Sequence, residues 1–312
     1  GYQCDKRHLM KLNFITLFLL LFHSTSFGAV ILQYHHVSDT TPKSTSITPA
    51  QFEVHLKYLQ EHSFNVIPLS QMIEKIKNQQ PLKDKTIAIT FDDAYLDILT
   101  NATPLLNKFN YPYTIFVNPN VITQSSSSYL SWEQLKALAD EDVIIANHGF
   151  YHDSMTRIPD DLTQTQWLAK QTKLLLKSEK IIEEKTGQSW RYYAYPYGEY
   201  SPAIQNWAKE NDFVAFSQQS GAVGLDTDLT SIPRFPASMP YDEISALRDK
   251  LNSLPFTIKL KGKEAETIFE HQQISQVTFT IETDDFYKSG LNCYISGLGK
   301  QKIEWQGDNS FT

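Results

Sequence analysis

Short runs of apolar, β-branched residues alternate along this chain with longer stretches whose apolar positions recur every three or four residues. Val30–Tyr34 predicts a first strand. Thr48, Pro49 and Gln51 then mark a helix start, with Thr48 as N-cap and Gln51 closing a capping box. Phe52, Leu56 and Leu59 fall on one face of that helix, so it packs on a sheet. The pattern continues with a strand at 65–67, a helix at 70–76 with Met72, Ile73 and Ile76 inward, and a strand at 86–91. A helix bearing Leu99, Leu105, Leu106 and Phe109 runs to Asn110. Strands at 113–117 and 143–147 flank a helix opened by a second capping box, Ser131 to Gln134. A long helix over 161–186 stops at Gly187, Ser201 and Pro202 open the next, and strands at 192–195, 213–216 and 230–232 complete the series. Strand and helix alternate at least six times between Val30 and Leu251, which predicts a parallel α/β fold, most simply a barrel.

Beyond Leu254 the texture changes. Residues 256–260, 277–281 and 291–295 alternate apolar and polar side chains, as half-buried antiparallel strands do. Leu291, Cys293 and Ile295 share one face, expected to be the buried one. The pattern reaches Thr312 without a closing strand, so a sandwich-like module is expected to lie beside the barrel, to continue past this sequence, and to pair Cys293 with a later Cys.

At the other end, Met10-Lys11, an apolar run over 12–22 and small residues up to Gly28 read as a secretory signal cut after Gly28. The apolar run falls short of the roughly 20 residues that span a bilayer. A retained anchor is the alternative reading of this stretch. Residues 1–9, with Cys4 and His8, precede the start and read as upstream sequence. The expected division is 1–28 for upstream residues and signal, 29–254 for the barrel and 255–312 for the β-rich module. The mature protein is then secreted or periplasmic, without a stable membrane span.

Composition narrows the partners. A net charge of −7 argues against nucleic acid, whose phosphates need clustered Lys and Arg. The 16 tyrosines and 5 tryptophans suit sugar faces, but they suit a core equally and decide nothing alone.

The chemistry-bearing stretch is Thr90-Phe91-Asp92-Asp93, where the buried strand at 86–91 ends in two carboxylates. Neighbouring side chains on a strand point to opposite faces. Both acids can therefore serve one site only if the chain bends into a loop there. Alternatively, these acids open the next helix, Asp92 as its N-cap or Asp97 in its first turn. His148 and His152, spaced i, i+4 after another buried strand, would share a metal from one side of a helical turn; the plainer reading makes them hydrogen-bonded rim residues. One carboxylate and two histidines form a ligand set with open positions, as catalytic ions have. The spare acid, Asp92, can then act as general base on metal-bound water. His and carboxylate accept zinc first, with cobalt, nickel or iron as alternatives.

Thr-Phe-Asp-Asp at 90–93 and His-x-x-x-His at 148–152 resemble the first two motifs of the polysaccharide deacetylases, carbohydrate esterase family 4, with the fold of chitooligosaccharide deacetylase. Tyr195-Pro196-Tyr197-Gly198 resembles the third, in the same order. Tyr34-His35-His36-Val37 and the segment 232–236 around Arg234 resemble the biofilm poly-N-acetylglucosamine deacetylase branch. The resemblance covers Val30 to Leu251. It implies a distorted (β/α) barrel of about seven strands, a divalent ion held by Asp93, His148 and His152, Asp92 as base, and an oxyanion donor in the backbone N–H at Tyr197. The implied activity is hydrolytic removal of N-acetyl groups from an extracellular or cell-wall polysaccharide. Poly-N-acetylglucosamine, chitin-like oligomers and peptidoglycan all offer that group.

The sequence also departs from the family pattern. Ala94 stands where the first motif usually has Gly, and Gly149 where the second usually has Ser or Thr. Ala194 stands where the third usually carries an Arg that steadies the base. Arg191 is near in sequence, and the steadying role is assigned to Arg234. Many members supply a late His as general acid. Here the one His after His152 is His271, inside the β-rich module, which leaves the acid unassigned. Another metal-dependent hydrolysis at the cell wall is a rival enzyme reading. The non-enzyme alternative is a carbohydrate-binding or adhesion protein with a vestigial site. Against it, Asp92, Asp93, His148 and His152 are all intact.

Overall fold

The computed structural model describes residues 28–124, 127–255, 258–260, 276–282, 286–295 and 299–312. The signal segment up to residue 27, the loop positions 125 and 126, the start of the predicted strand at 256–260, and His271 lie outside the described residues.

Seven parallel strands make the frame. In chain order the strands β1 (Ala29–Tyr34), β2 (His36–Val37), β3 (Ser46–Ile47), β4 (Asn65–Val66) and β5 (Thr86–Phe91) are followed by β6 (Thr114–Val117), β7 (Ile144–Asn147), β8 (Tyr192–Ala194), β9 (Val214–Phe216) and β10 (Phe235–Pro236). The main sheet runs β10-β1-β5-β6-β7-β8-β9, with β4 paired to β5 and the β2–β3 pair apart. The sheet curls into a distorted barrel. The segment expected as a strand at 230–232 is instead a single bridge, Ile232 to Phe216 on β9; three residues later Phe235 pairs with Leu32 on β1. One short stretch thus reaches both outer strands. Pro233 and Pro236 offer no N–H to a ladder, which keeps it from running as a regular strand.

Helices α1 (Pro49–Glu61), α2 (Leu69–Lys77), α3 (Thr103–Phe109), α4 (Pro119–Thr123), α5 (Trp132–Asp140), α6 (Gln164–Thr186), α7 (Pro202–Glu210) and α8 (Ile244–Leu251) connect the strands. Their ends follow local chemistry. Ser131 makes its full capping box with Gln134, and Thr163 makes one with Gln166, so α6 begins at Gln164 rather than 161. Thr48 accepts from the Gln51 N–H as expected. The Gln51 side chain does not close the box; it donates to the Asp242 carbonyl and ties α1 to the chain before α8. The helix after β5 starts with a π turn over Ile98–Ala102 before α3, which ends at left-handed Asn110.

The period-two pattern of the strands sorts the core. Val30, Leu32, Tyr34, Ile87, Ile89, Phe91, Ile115 and Val117 pack in one cluster with α1 residues Phe52, Leu56 and Leu59. The alternate residues Ala29, Ile31, Ala88, Phe116, Ala146, Ala194 and Phe216 form a second cluster with Met72, Ile73 and Ile76 of α2. Continuing that second face toward the strand ends gives Gln33 and His35 after Ile31, Thr90 and Asp92 after Ala88, and His148 after Ala146. One face of the sheet therefore changes from apolar to polar at its carboxyl end, where α/β barrels place their chemistry.

In the C-terminal region, β11 (Ile258–Leu260), β12 (Phe279–Ile281) and β15 (Ser310–Phe311) form an antiparallel sheet, and β13 (Cys293–Ile295) pairs with β14 (Gly299–Gln301). Antiparallel pairing matches the alternation in sequence. Leu291 and Cys293 flank exposed Asn292 as expected, but both are half-buried rather than core, and Cys293 is a free thiol.

Candidate metal centre and active site

Loops at the carboxyl ends of β1, β5, β7 and β8, with Arg234 just before β10, bring the candidate residues together. After Phe91 the backbone turns sharply: Asp93 has φ +71° and Ala94 φ +56°, the left-handed region that a glycine would enter without steric cost. That bend allows both acids to face one site. Asp92 stays on the inner face of the sheet by strand alternation, and Asp93 is swung in by the turn.

The stretch from His148 to His152 is not a helical turn, contrary to the i, i+4 expectation. Gly149 at φ +81° and His152 at φ +62° break any helix, and the Ser or Thr of the family motif is absent. Two asparagines hold this loop instead. Asn147 Oδ1 accepts from the Gly149 N–H at 2.9 Å while its Nδ2 donates to Glu179 at 3.0 Å and to the Leu175 carbonyl at 3.1 Å. Asn118 Nδ2 donates to the carbonyls of His148, at 2.5 Å, and Gly149, at 3.3 Å. The two imidazoles still meet, edge to face, with ring centroids 4.7 Å apart.

Asp93 Oδ1 lies 3.4 Å from His148 Nε2 and 3.5 Å from His152 Nε2. One ligand atom from each of the three residues falls within 4.8 Å of the other two. The donor set fits a divalent ion. His148 Nδ1 sits 2.7 Å from the Ala194 carbonyl, which can only accept, so the proton is on Nδ1 and Nε2 offers a lone pair. That Nε2 is buried without a hydrogen-bond partner, a costly state that a bound cation would relieve. Burial opposes charge on His148, but the Asp92 and Asp93 carboxylates outweigh it and raise its pKa. The field that attracts a proton to Nε2 equally attracts a metal cation. Burial and then the neighbouring His148 push His152 down to about 4, keeping it neutral and able to ligate.

Asp92 is fully buried and held on two sides. Arg234, itself completely buried, donates from Nη1 to Oδ1 at 2.7 Å and from Nη2 to Oδ2 at 2.9 Å, and Gln33 Nε2 donates to Oδ2 at 2.7 Å. Burial alone would raise the Asp92 pKa, but Arg234 and then His148 overcome it and hold the carboxyl well below the usual range. Arg234 is fixed in turn by the Ser217 carbonyl at 2.9 Å and Thr90 Oγ1 at 3.2 Å. Arg191, the alternative named from sequence, points elsewhere and donates to the Asn211 carbonyl.

Tyr197 lies in the turn Pro196–Gly198 at φ +59°, half exposed, with its ring edge to face against His152 and the Arg157 guanidinium over it, 4.5 Å from the ring centroid. The site also contains a residue that received no individual role from sequence. His35 Nε2 is 3.9 Å from Asp92 Oδ2, and its side chain is 20% exposed. Strand alternation could have found it, because His35 continues the Ile31-Gln33 face of β1.

Residues 79–216 match the family model described as polysaccharide deacetylase. The poly-beta-1,6-N-acetyl-D-glucosamine N-deacetylase of Staphylococcus epidermidis is 27% identical over 232 residues, covering 68% of this chain and 79% of the relative. Among solved structures, IcaB from Ammonifex degensii superposes with a TM-score of 0.62 at 22% identity, covering 73% of this chain and 98% of that one. The Streptococcus pyogenes deacetylase PplD, in complex with acetate, gives 0.63 at 20% identity over 73% and 99% of the two chains. These two likenesses establish the shared barrel.

Proposed function

This chain carries a polysaccharide deacetylase domain, and we propose that it hydrolyses N-acetyl groups from an extracellular N-acetylglucosamine polymer with the help of a divalent ion at Asp93, His148 and His152. The observation that carries the metal-dependent reading is the buried, unpartnered Nε2 of His148 facing Asp93 and His152. The N-deacetylase relatives support the choice of bond and of sugar. A divalent ion in such a site supplies Lewis acidity, lowering the pKa of water and drawing charge from a carbonyl oxygen.

The chain's own residues do the remaining work. Asp92, kept ionised and fixed in its plane by Arg234, accepts the proton released as water attacks the acetamide carbon. The backbone N–H of Tyr197 donates to the oxygen on which negative charge develops. Burial lowers the His35 pKa and keeps its ring neutral, so His35, beside Asp92, would take up the proton that Asp92 has accepted and pass it on to the departing nitrogen, and the sugar leaves as an amine and the acyl group as acetate. The present 3.9 Å separation between His35 and Asp92 is of the kind that tightens when substrate fills the site. A secreted or periplasmic enzyme would meet such a polymer directly. Among the described residues no helix is long and apolar enough to cross a membrane.

Acetate release from β-1,6-linked N-acetylglucosamine oligomers tests the reading. Release is expected from protein loaded with zinc or cobalt, loss after chelation, and recovery on adding the ion back. Failure to release acetate from loaded protein, with the ion demonstrably bound, would overturn it.

A further inference from the structure

Two loops that carry the proposed chemistry meet at one carboxylate, Glu199, which is outside the candidate ligand set. After His152 the chain runs through residues 153–163 without a regular helix or strand before α6 begins. The turn Pro196–Gly198, whose Tyr197 offers the proposed oxyanion donor, is followed directly by Glu199. Both oxygens of Glu199 are committed to the first of these segments. Oε1 accepts from Arg157 Nε at 3.2 Å and from its Nη2 at 2.5 Å, a charge-assisted fork. Oε2 accepts from the Ser154 hydroxyl and, at 3.3 Å, from Thr156 Oγ1. Ser154 Oγ in turn accepts from the N–H groups of Thr156 and Arg157, both at 3.2 Å. Burial would raise the Glu199 pKa, but Arg157 and then Ser154 overcome it and lower it, so the carboxylate stays ionised.

Aromatic contact closes the circuit. The Arg157 guanidinium lies over the Tyr197 ring, 4.5 Å from its centroid, and that ring meets His152 edge to face at 4.7 Å. A path therefore runs from His152 along the chain to Ser154 and Arg157, across to Glu199, back along the chain to Tyr197, and through its ring to His152. On the other side the turn has no room to move. A Cβ on Gly198, at φ +70°, would fall 2.6 Å from Gln218 Cβ and 2.8 Å from the Gln218 nitrogen, and Gln219 Nε2 donates to the Gly198 carbonyl at 3.3 Å. The turn is thus anchored to the chain after β9, and Glu199 carries that anchorage to the His152 loop. The Glu199–Arg157 pair is itself 31% and 63% exposed, and ion pairs so placed add little to folding stability. Its consequence is geometric.

We propose that Glu199 is a positioning residue that locks the His152 loop to the Tyr197 turn, so that the second histidine of the candidate metal site and the oxyanion donor are set as one unit. The role rests on the deacetylase reading. Loss of either partner in the Glu199–Arg157 pair then loosens ion binding and slows the chemical step together, while substrate binding is left alone.

The test uses Glu199→Gln, Arg157→Met and the double variant. Glutamine keeps the shape of Glu199, but its amide nitrogen cannot accept, so one arm of the clamp is lost. Cobalt affinity, read by competition against a chromophoric chelator, needs no substrate. Each single variant is expected to bind cobalt about tenfold more weakly and to lose about tenfold in kcat for acetate release, with KM unchanged. Metal-free, each should unfold in urea at the parent's midpoint. The double variant should match the worse single variant, because both changes break one link. Parent-like cobalt affinity in both single variants, losses that add in the double variant, or a raised KM at the parent's kcat would overturn the clamp. A metal-free urea midpoint lowered in step with cobalt affinity would make the pair a tie for stability alone, and would overturn it as well. A parent that binds cobalt yet releases no acetate defeats the deacetylase reading instead, and the cobalt affinities then still decide the clamp.

Discussion

Arg234 and Asp92, 142 residues apart in sequence and both fully buried, face each other through two parallel hydrogen bonds of 2.7 and 2.9 Å. The pair is a fork-to-fork contact that only a guanidinium can make. Lysine would keep the charge but lose the plane. Arg234→Lys is therefore expected to lower kcat by roughly tenfold to a hundredfold, part of the worth of a positioned base, with little change in KM. Arg234→Met would leave a buried carboxylate unpaired and should cost on the order of 3–5 kcal/mol of stability. Steady-state kinetics and urea unfolding check these outcomes; an unaltered kcat in Arg234→Lys would remove the steadying role.

Asn147 acts on the candidate metal centre without touching it. Its side chain fixes the turn at Gly149 that aims His148 and His152, and it leans on buried Glu179. Asn147→Ala should weaken metal affinity by about tenfold to a hundredfold, the usual effect of removing a group that orients ligands. Competition against a chromophoric chelator would measure this. An affinity equal to the parent's would show that the loop holds its shape unaided.

His55 gives the fold a dependence on acid. Its Nε2 donates to the Asp242 carbonyl at 2.5 Å, and its Nδ1 accepts from the Tyr34 hydroxyl at 2.8 Å, so the buried ring is satisfied only when neutral. Burial pushes its pKa down from 6.5 to about 4. Because the folded value is depressed, the unfolded chain binds the proton first as pH falls. The stability is fully present above about 6.5 and is lost progressively toward 4. Between pH 7.5 and 5 this one group should remove about 2 kcal/mol. Urea unfolding of the parent and His55→Gln at both pH values tests it, and parallel losses in the two proteins would contradict the assignment.

The barrel was legible because its strands are short, β-branched and regularly spaced by amphipathic helices. The paired acids were legible because they end such a strand, where alternation requires a bend, and the positive φ of Asp93 and Ala94 supplies it. Arg234 entered only through the family resemblance, since no local pattern links it to a residue 142 positions earlier. The His148–His152 spacing implied a helical turn, and the structure reaches the same convergence through a loop tied by Asn118 and Asn147. Spacing carries no record of such side-chain ties. His35 was readable in principle from the inner face of β1. The two-residue β10 was not, because prolines at 233 and 236 erase the strand signal while tertiary contacts with β1 still impose the pairing.

Metal binding by defined variants tests the central claim most directly. Cobalt titrated into the parent, Asp92→Asn, Asp93→Ala and His148→Ala can be followed by its visible absorption. The parent and Asp92→Asn are expected to bind one ion per chain with the same spectrum, and acetate release should fall by roughly a hundredfold or more in Asp92→Asn. Asp93→Ala and His148→Ala should lose the spectrum and the activity together. Unchanged cobalt binding in Asp93→Ala and His148→Ala, or full activity in Asp92→Asn, would contradict the metal centre or the base assigned to it.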